Sequence, residues 1–280
     1  MGKPLQTELS LRPVVICVAP NGARRTKQDH ERLPMTIEEL ASEARACMSA
    51  GATAIHLHVR DAGGRHTLDT LIYREAIDSI QKATDGNMIV QMTTEACGIY
   101  TPQQQMEAVR EVRPEAASVA VRELVQDDTG RPEAAHFFAW ARDRCIGLQY
   151  VVYDQNDLLR ALLLQEEGVI PHEQPHLLLV LGRYAAGQKS NPSDLTAFLA
   201  LLPPDWPWSI CAFGASESEC MQAAIEKGGN CRVGFENNLL LPSGRTAAAN
   251  ADLVSNIALE VRRTARPVGS IHDARALYIR

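Results

Sequence analysis

Apolar and polar positions follow one another along the chain in two rhythms. Short runs of β-branched and aliphatic residues recur, and between them lie longer stretches whose apolar positions repeat every three or four residues. That succession marks β/α units around a parallel sheet. Eight strands are predicted, over residues 14–19, 54–60, 88–94, 117–121, 146–152, 176–181, 208–213 and 231–236. Thr36 with Glu39 reads as a capping box ahead of Ile37, Leu40, Ala44 and Cys47. Thr101-Pro102 with Gln104 supplies a cap, a first-turn proline and a box partner, while Asn191-Pro192 and Ser216 with Glu219 open two more helices. Gly51, Gly168 and Gly228-Gly229 close helices just ahead of strands. Eight such units, with no linker-like stretch between them, predict a single α/β domain over residues 1–280, a (β/α)8 TIM barrel with its active site at the C-terminal ends of the strands.

Charge narrows the partners. The formal net charge is −6, from 28 basic and 34 acidic residues, which argues against nucleic acid, a partner that needs a dense basic surface. None of the seven cysteines is spaced C-x-x-C, and Cys17 and Cys211 sit in apolar runs as small hydrophobes. A reducing cytoplasm is therefore expected. Met1 to Leu11 is polar, without the apolar core of a signal peptide, and no stretch approaches the roughly 20 apolar residues of a membrane span.

The candidate chemistry lies at strand ends. In Ala-Ile-His-Leu-His-Val-Arg-Asp, His56 and His58 share one face of the second strand, and Ile55, Leu57 and Val59 the other. With the apolar set against helices, both imidazoles turn into the barrel, as metal ligands or as hydrogen-bonded core histidines. In Cys-Arg-Val-Gly-Phe-Glu-Asn, Arg232 and Glu236 share the inward face of the eighth strand. Burying them there requires pairing or ligation. The second and eighth strands both flank the first in a closed barrel, so Glu236 could complete a His₂Glu set with open positions, a catalytic zinc pattern; an Arg232–Glu236 ion pair is the alternative. Gln91, Thr93 and Glu95 share a face of the third strand, and Ser118 and Arg122 a face of the fourth; Thr93 and Ser118 are candidate substrate contacts. The loop Asn21-Gly22-Ala23-Arg24-Arg25 allows close approach of backbone to a ligand and offers cations to a carboxylate or phosphate, or is simply solvated.

His-Leu-His-Val-Arg-Asp, the Thr-Thr run and Gly-Gly-Asn-Cys-Arg-Val-Gly-Phe-Glu-Asn together resemble the β-keto acid cleavage enzymes, across nearly the whole chain. The resemblance implies a zinc-containing, homo-oligomeric barrel (a dimer or tetramer) that turns a β-keto acid and acetyl-CoA into acetoacetate and a new acyl-CoA. By position it implies His56, His58 and Glu236 as ligands of zinc or another divalent metal, Arg232 as the catalytic arginine and Thr93 as the substrate hydroxyl contact. Asn21, Arg24 and Ser118 are carried as further substrate-binding candidates. Two departures stand out. Relatives often carry Asp after the ligand glutamate, where it supports the arginine and proton transfer; this chain has Asn237 at that catalytic place, and since an amide cannot act as a base, either the proton goes elsewhere, with Glu95, Asp61 or a water on the metal able to substitute, or Arg232 is oriented differently. Arg24 occupies a first-loop place that is acidic in the typical member, which predicts a neutral or anionic substrate rather than an aminated one. Two other readings compete: an amidohydrolase-like metal-dependent hydrolase, for which His172 and His176 would be further ligands, and a catalytically inert ligand-binding barrel.

Overall fold

The computed structural model describes residues 12–279. Its parallel strands β1 (Ile16–Val18), β2 (Ala54–Leu57), β5 (Ile89–Thr93), β6 (Ala116–Ala120), β7 (Gly147–Val152), β8 (His176–Leu181), β9 (Trp208–Ala212) and β10 (Asn230–Val233) close into one barrel, β1 pairing with both β2 and β10. The predicted TIM barrel is therefore present. Helices α1 (Ile37–Ala50), α2 (Thr70–Ala83), α3 (Pro102–Val112), α4 (Val121–Leu124), α5 (Arg131–Asp143), α6 (Gln155–Glu166), α7 (Asp194–Leu199), α8 (Glu217–Glu226), α9 (Asn250–Arg262) and α10 (Ile271–Tyr278) complete it. Capping boxes form at Thr36 with Glu39 and at Thr101 with Gln104, as the spacing predicts. Ser216 precedes α8 without capping it through its side chain, and α7 begins at Asp194, two residues beyond Pro192.

Period-two alternation sorts each strand into two environments. Along β8, Leu177, Leu179 and Leu181 join the main core beneath the helices, while His176, Leu178 and Val180 point inward. The barrel interior is layered as a result. At the bottom, Val15, Cys17, Ala54, Ile89 and Ala116 pack against Ala274, Leu277 and Tyr278 of α10, which closes that end. Polar residues fill the middle, and the top opens at the strand C-termini.

Two strands, β2 and β10, stop three residues sooner than the alternation predicts, and both stops shape the site. β2 ends at Leu57, and after His58 the chain enters an antiparallel pair, β3 (Val59–Arg60) with β4 (His66–Thr67). β10 ends at Val233 because Gly234 takes φ +140 against the backbone of Ala19, a fit that leaves no room for a Cβ. The last three residues of the predicted strand thus form a bend, held by Glu236 N–H donating to Ala19 O at 3.1 Å. β6 ends at Ala120, which places Arg122 on α4, where it pairs with Asp154 and Asp157 instead of facing the barrel.

Candidate metal centre and substrate cleft

His56 lies on β2 and His58 in the break just after it, both buried, with their Nε2 atoms 3.1 Å apart. Glu236 Oε2 lies 3.7 Å from His56 Nε2 and 3.6 Å from His58 Nε2. Among the described residues these three form the one His/Cys/Asp/Glu group close enough to share an ion.

Three observations fit the set to a cation. Burial holds both imidazoles well below their usual pKa, with nearby cations adding to the effect, so both rings are neutral and able to ligate near neutral pH. His56 Nδ1–H donates to Gln91 Oε1 at 2.8 Å, which leaves the Nε2 lone pair facing the site. Glu236 Oε2 is buried without a hydrogen-bond partner among the described residues, whereas Oε1 accepts from Arg232 Nη2 at 2.5 Å. The ligand and ion-pair readings of Glu236 thus apply to different oxygens of one carboxylate. Burial opposes the charge of Arg232, but the Glu236 charge beside it raises its pKa, so the guanidinium stays protonated.

Gln91 is itself oriented. Its amide donates to Gln149 Oε1 at 3.1 Å, Gln149 Nε2 lies 3.0 Å from His176 Nε2, and that nitrogen lies 2.9 Å from Ser209 Oγ. A polar chain therefore crosses the barrel from His56 to β9. Its signal in the sequence is a polar residue at an inward position of each of β2, β5, β7, β8 and β9. His176 belongs to this chain, and His172 lies 3.4 Å from the Tyr150 hydroxyl, so neither joins the metal group that a hydrolase reading would require.

Gly22 lets the first loop close over the Glu236 carboxylate. It takes φ +64, and a Cβ there would come within 2.5 Å of Glu236 Cγ. The loop is pinned by Arg60, which donates to Ala23 O at 2.6 Å, to Arg25 O at 3.1 Å and to Gly22 O; Arg25 in turn donates to Phe235 O. Sequence reasoning assigned no role to Arg60, since its partners are backbone carbonyls of a distant loop.

The other candidates divide. Thr93 and Ser118 line the cleft beside His56, Arg232 and Glu236. Thr93 Oγ1 accepts from Glu95 N at 3.1 Å, which aims its own hydrogen elsewhere. Asn21 is buried, and its amide donates to Pro34 O at 3.0 Å and His58 O at 3.1 Å, so its nitrogen braces the site. Asn237 is fully buried and its amide has no partner among the described residues; it does not line the cleft. Glu95 Oε1 accepts from Arg24 at 2.7 Å and faces Arg183 at 3.6 Å. Asp61 is spent on the β3–β4 turn, accepting from Gly63 N, Arg65 N and Arg65 Nε. Arg183, Glu123 and Tyr153, which also line the cleft, carried no motif signal.

A closed parallel barrel with two neutral imidazoles and a carboxylate converging at its mouth defines a TIM-barrel enzyme with a candidate divalent-metal site. The chain belongs to the beta-keto acid cleavage enzyme family, whose sequence profile matches residues 13–279. Among its relatives, the 3-keto-5-aminohexanoate cleavage enzyme of Acetoanaerobium sticklandii is 27% identical over 275 residues, covering 95% of this chain and 98% of the relative. The 3-oxoadipate:acetyl-CoA acetyltransferase of Cupriavidus necator is 28% identical over 278 residues, covering 95% and 94%. Of solved structures, a ternary complex of ObcA with a C4-CoA adduct and oxalate superposes with TM-score 0.71 at 16% identity, over 88% of this chain and 67% of that one; at this identity the match bears on the fold. No helix among the described residues is long and apolar enough to cross a membrane.

Proposed function

We propose that the protein transfers the acyl group of a β-keto acid to CoA at the expense of acetyl-CoA. The substrate's CH₂–COO⁻ unit leaves its acyl carbon and joins the acetyl group as acetoacetate, while the acyl group takes the CoA sulfur, so every atom is accounted for. The observation that carries this reading is the convergence of His56 Nε2, His58 Nε2 and an otherwise unpartnered Glu236 oxygen beside the cleft. These three would hold a divalent ion, and zinc is proposed from the donor set. When bound, such an ion supplies Lewis acidity to the keto and carboxylate oxygens, which acidifies the carbon between them.

The chain's own residues supply the rest. Arg232, charged and buried, faces negative charge developing on the substrate. The Thr93 hydroxyl is assigned to the substrate carboxylate, beside Ser118. With Asp61 and Glu95 committed elsewhere, Glu123 is assigned the proton: burial raises its pKa, and it lines the cleft. Arg24 and Arg183 outnumber Glu95 at the rim, which supports a neutral or anionic substrate over an aminated one. A homo-oligomeric assembly belongs to the same proposal, on the family resemblance alone.

The test is acetoacetate formation from isotopically labelled acetyl-CoA and a panel of β-keto acids, followed by mass spectrometry. Label should appear in acetoacetate, chelation should abolish it, and Arg232→Ala should lower kcat by about 10²–10³-fold. Turnover without CoA, or undiminished turnover after complete metal removal, would overturn the reading.

A further inference from the structure

The upper interior of the barrel is divided down the middle. One half of the cleft carries His56, Thr93, Ser118, Arg232 and Glu236. The other half is formed by Ala120 of β6, Val151 of β7, Leu178 and Val180 of β8, Cys211 of β9 and Phe213 just beyond it. These six form an apolar cluster separate from the main core, and all of them line the cleft. They occupy inward positions that a barrel filled for stability alone would pack shut. Burial pushes the Cys211 thiol up to about 12, so it stays protonated and behaves as an apolar surface.

We infer that the substrate is a β-keto acid bearing a short, uncharged hydrocarbon tail, which lies against this wall while its keto-carboxylate head engages the polar half. The inference rests on the proposed reaction and narrows its substrate class. The charged groups nearest the wall are already engaged. Glu95 is shared between Arg24 and Arg183, Arg183 stacks over the Phe213 ring at 5.1 Å, and Glu123 Oε2 accepts from Ala96 N at 3.0 Å. A carboxylate or ammonium on the tail would lose its hydration against Val151 and Val180, where the wall offers it only apolar side chains. The cavity is small, about 40 Å³, and the acetyl group of the second substrate must share it. Such a space suits a short tail.

The experiment compares kcat/KM of the zinc-loaded enzyme, with acetyl-CoA, for 3-oxopentanoate, 3-oxohexanoate, 3-oxoadipate and 5-amino-3-oxohexanoate, reading both acetoacetate and the new acyl-CoA. The propyl tail of 3-oxohexanoate should exceed both charged tails by at least about tenfold, and exceed the ethyl tail roughly fourfold for the added methylene. Val180→Glu should reverse the order between the propyl and aminated tails. Because that variant places a charge in a packed wall, Ala120→Val is the second arm: it fills space, and should lower the propyl-to-ethyl ratio at least about fivefold. Turnover that favours a charged tail, or a ratio unmoved by Ala120→Val, overturns the substrate class and leaves the reaction standing. Absence of acetoacetate from all four substrates overturns the reaction and the inference together.

Discussion

Gln91 makes the difference between an imidazole that can ligate and one that cannot. Its carbonyl accepts the His56 Nδ1 proton, so the opposite nitrogen is left bare, and the amide direction is fixed in turn by Gln149. Gln91→Leu should keep the fold yet weaken zinc binding about 10- to 100-fold, measured by competition with a chromophoric chelator. Unchanged affinity would mean that the bond does not set the tautomer. Gly22 acts by what it lacks. Gly22→Ala puts a methyl within 2.5 Å of Glu236 Cγ in a left-handed backbone, so metal affinity and turnover should fall together, with a stability loss of about 1 kcal/mol or more on denaturant unfolding. At this scale the candidate metal group was legible from residue type and spacing, His-x-His with Glu236, even though His58 and Glu236 lie just beyond the ends of β2 and β10. Arg60 was not, because its work is done on backbone carbonyls more than 30 residues away.

Helices and strands show where periodicity informs and where it misleads. All eight barrel strands were legible, since a strand buried on both faces reads as an apolar run and each is followed by a helix start or turn signal. The ends of β2 and β10 were not, because Gly234 and the β3–β4 pair break the alternation for tertiary reasons. Asn21 and Asn237 illustrate the cost: both sit close in sequence to the site, yet one braces backbone and the other is buried away from the cleft. At the start of α8, burial lifts the Glu217 carboxyl from 4.5 to about 8, while Asn238 Nδ2 donates to one oxygen and the other has no hydrogen-bond partner among the described residues. A folded-state pKa above the unfolded one means that the folded chain retains a proton the unfolded chain has released, so stability declines as pH rises from about 4.5 to about 8. Glu217→Gln removes that decline. Its Tm should match the parent near pH 4.5 and exceed it by several degrees at pH 8. Parallel Tm curves across that range would place the proton elsewhere.

Taken as a whole, the molecule separates the parts that keep it folded from the parts that react. The main core lies between strands and helices, the lower cluster seals the base, and the candidate metal group occupies the mouth. Stability should therefore be nearly indifferent to the metal: stripping it should lower Tm by only the few degrees that mass action on one bound ion requires, while activity vanishes. A loss of secondary structure on chelation would instead make the ion part of the scaffold. The net charge of −6 coexists with a rim of arginines, so overall charge argued against nucleic acid as the main partner but said nothing about the local field at the cleft.

The packing of Tyr278 and its neighbours under the barrel has a kinetic corollary. A chamber stoppered at its base is a cul-de-sac, with one doorway for everything that enters or departs. Whatever sits deepest goes in first and comes out last, so in the proposed reaction a β-keto acid seated on the polar floor would enter before the thioester and leave after it. The architecture thus imposes a sequence on traffic that no residue in the mouth has to enforce.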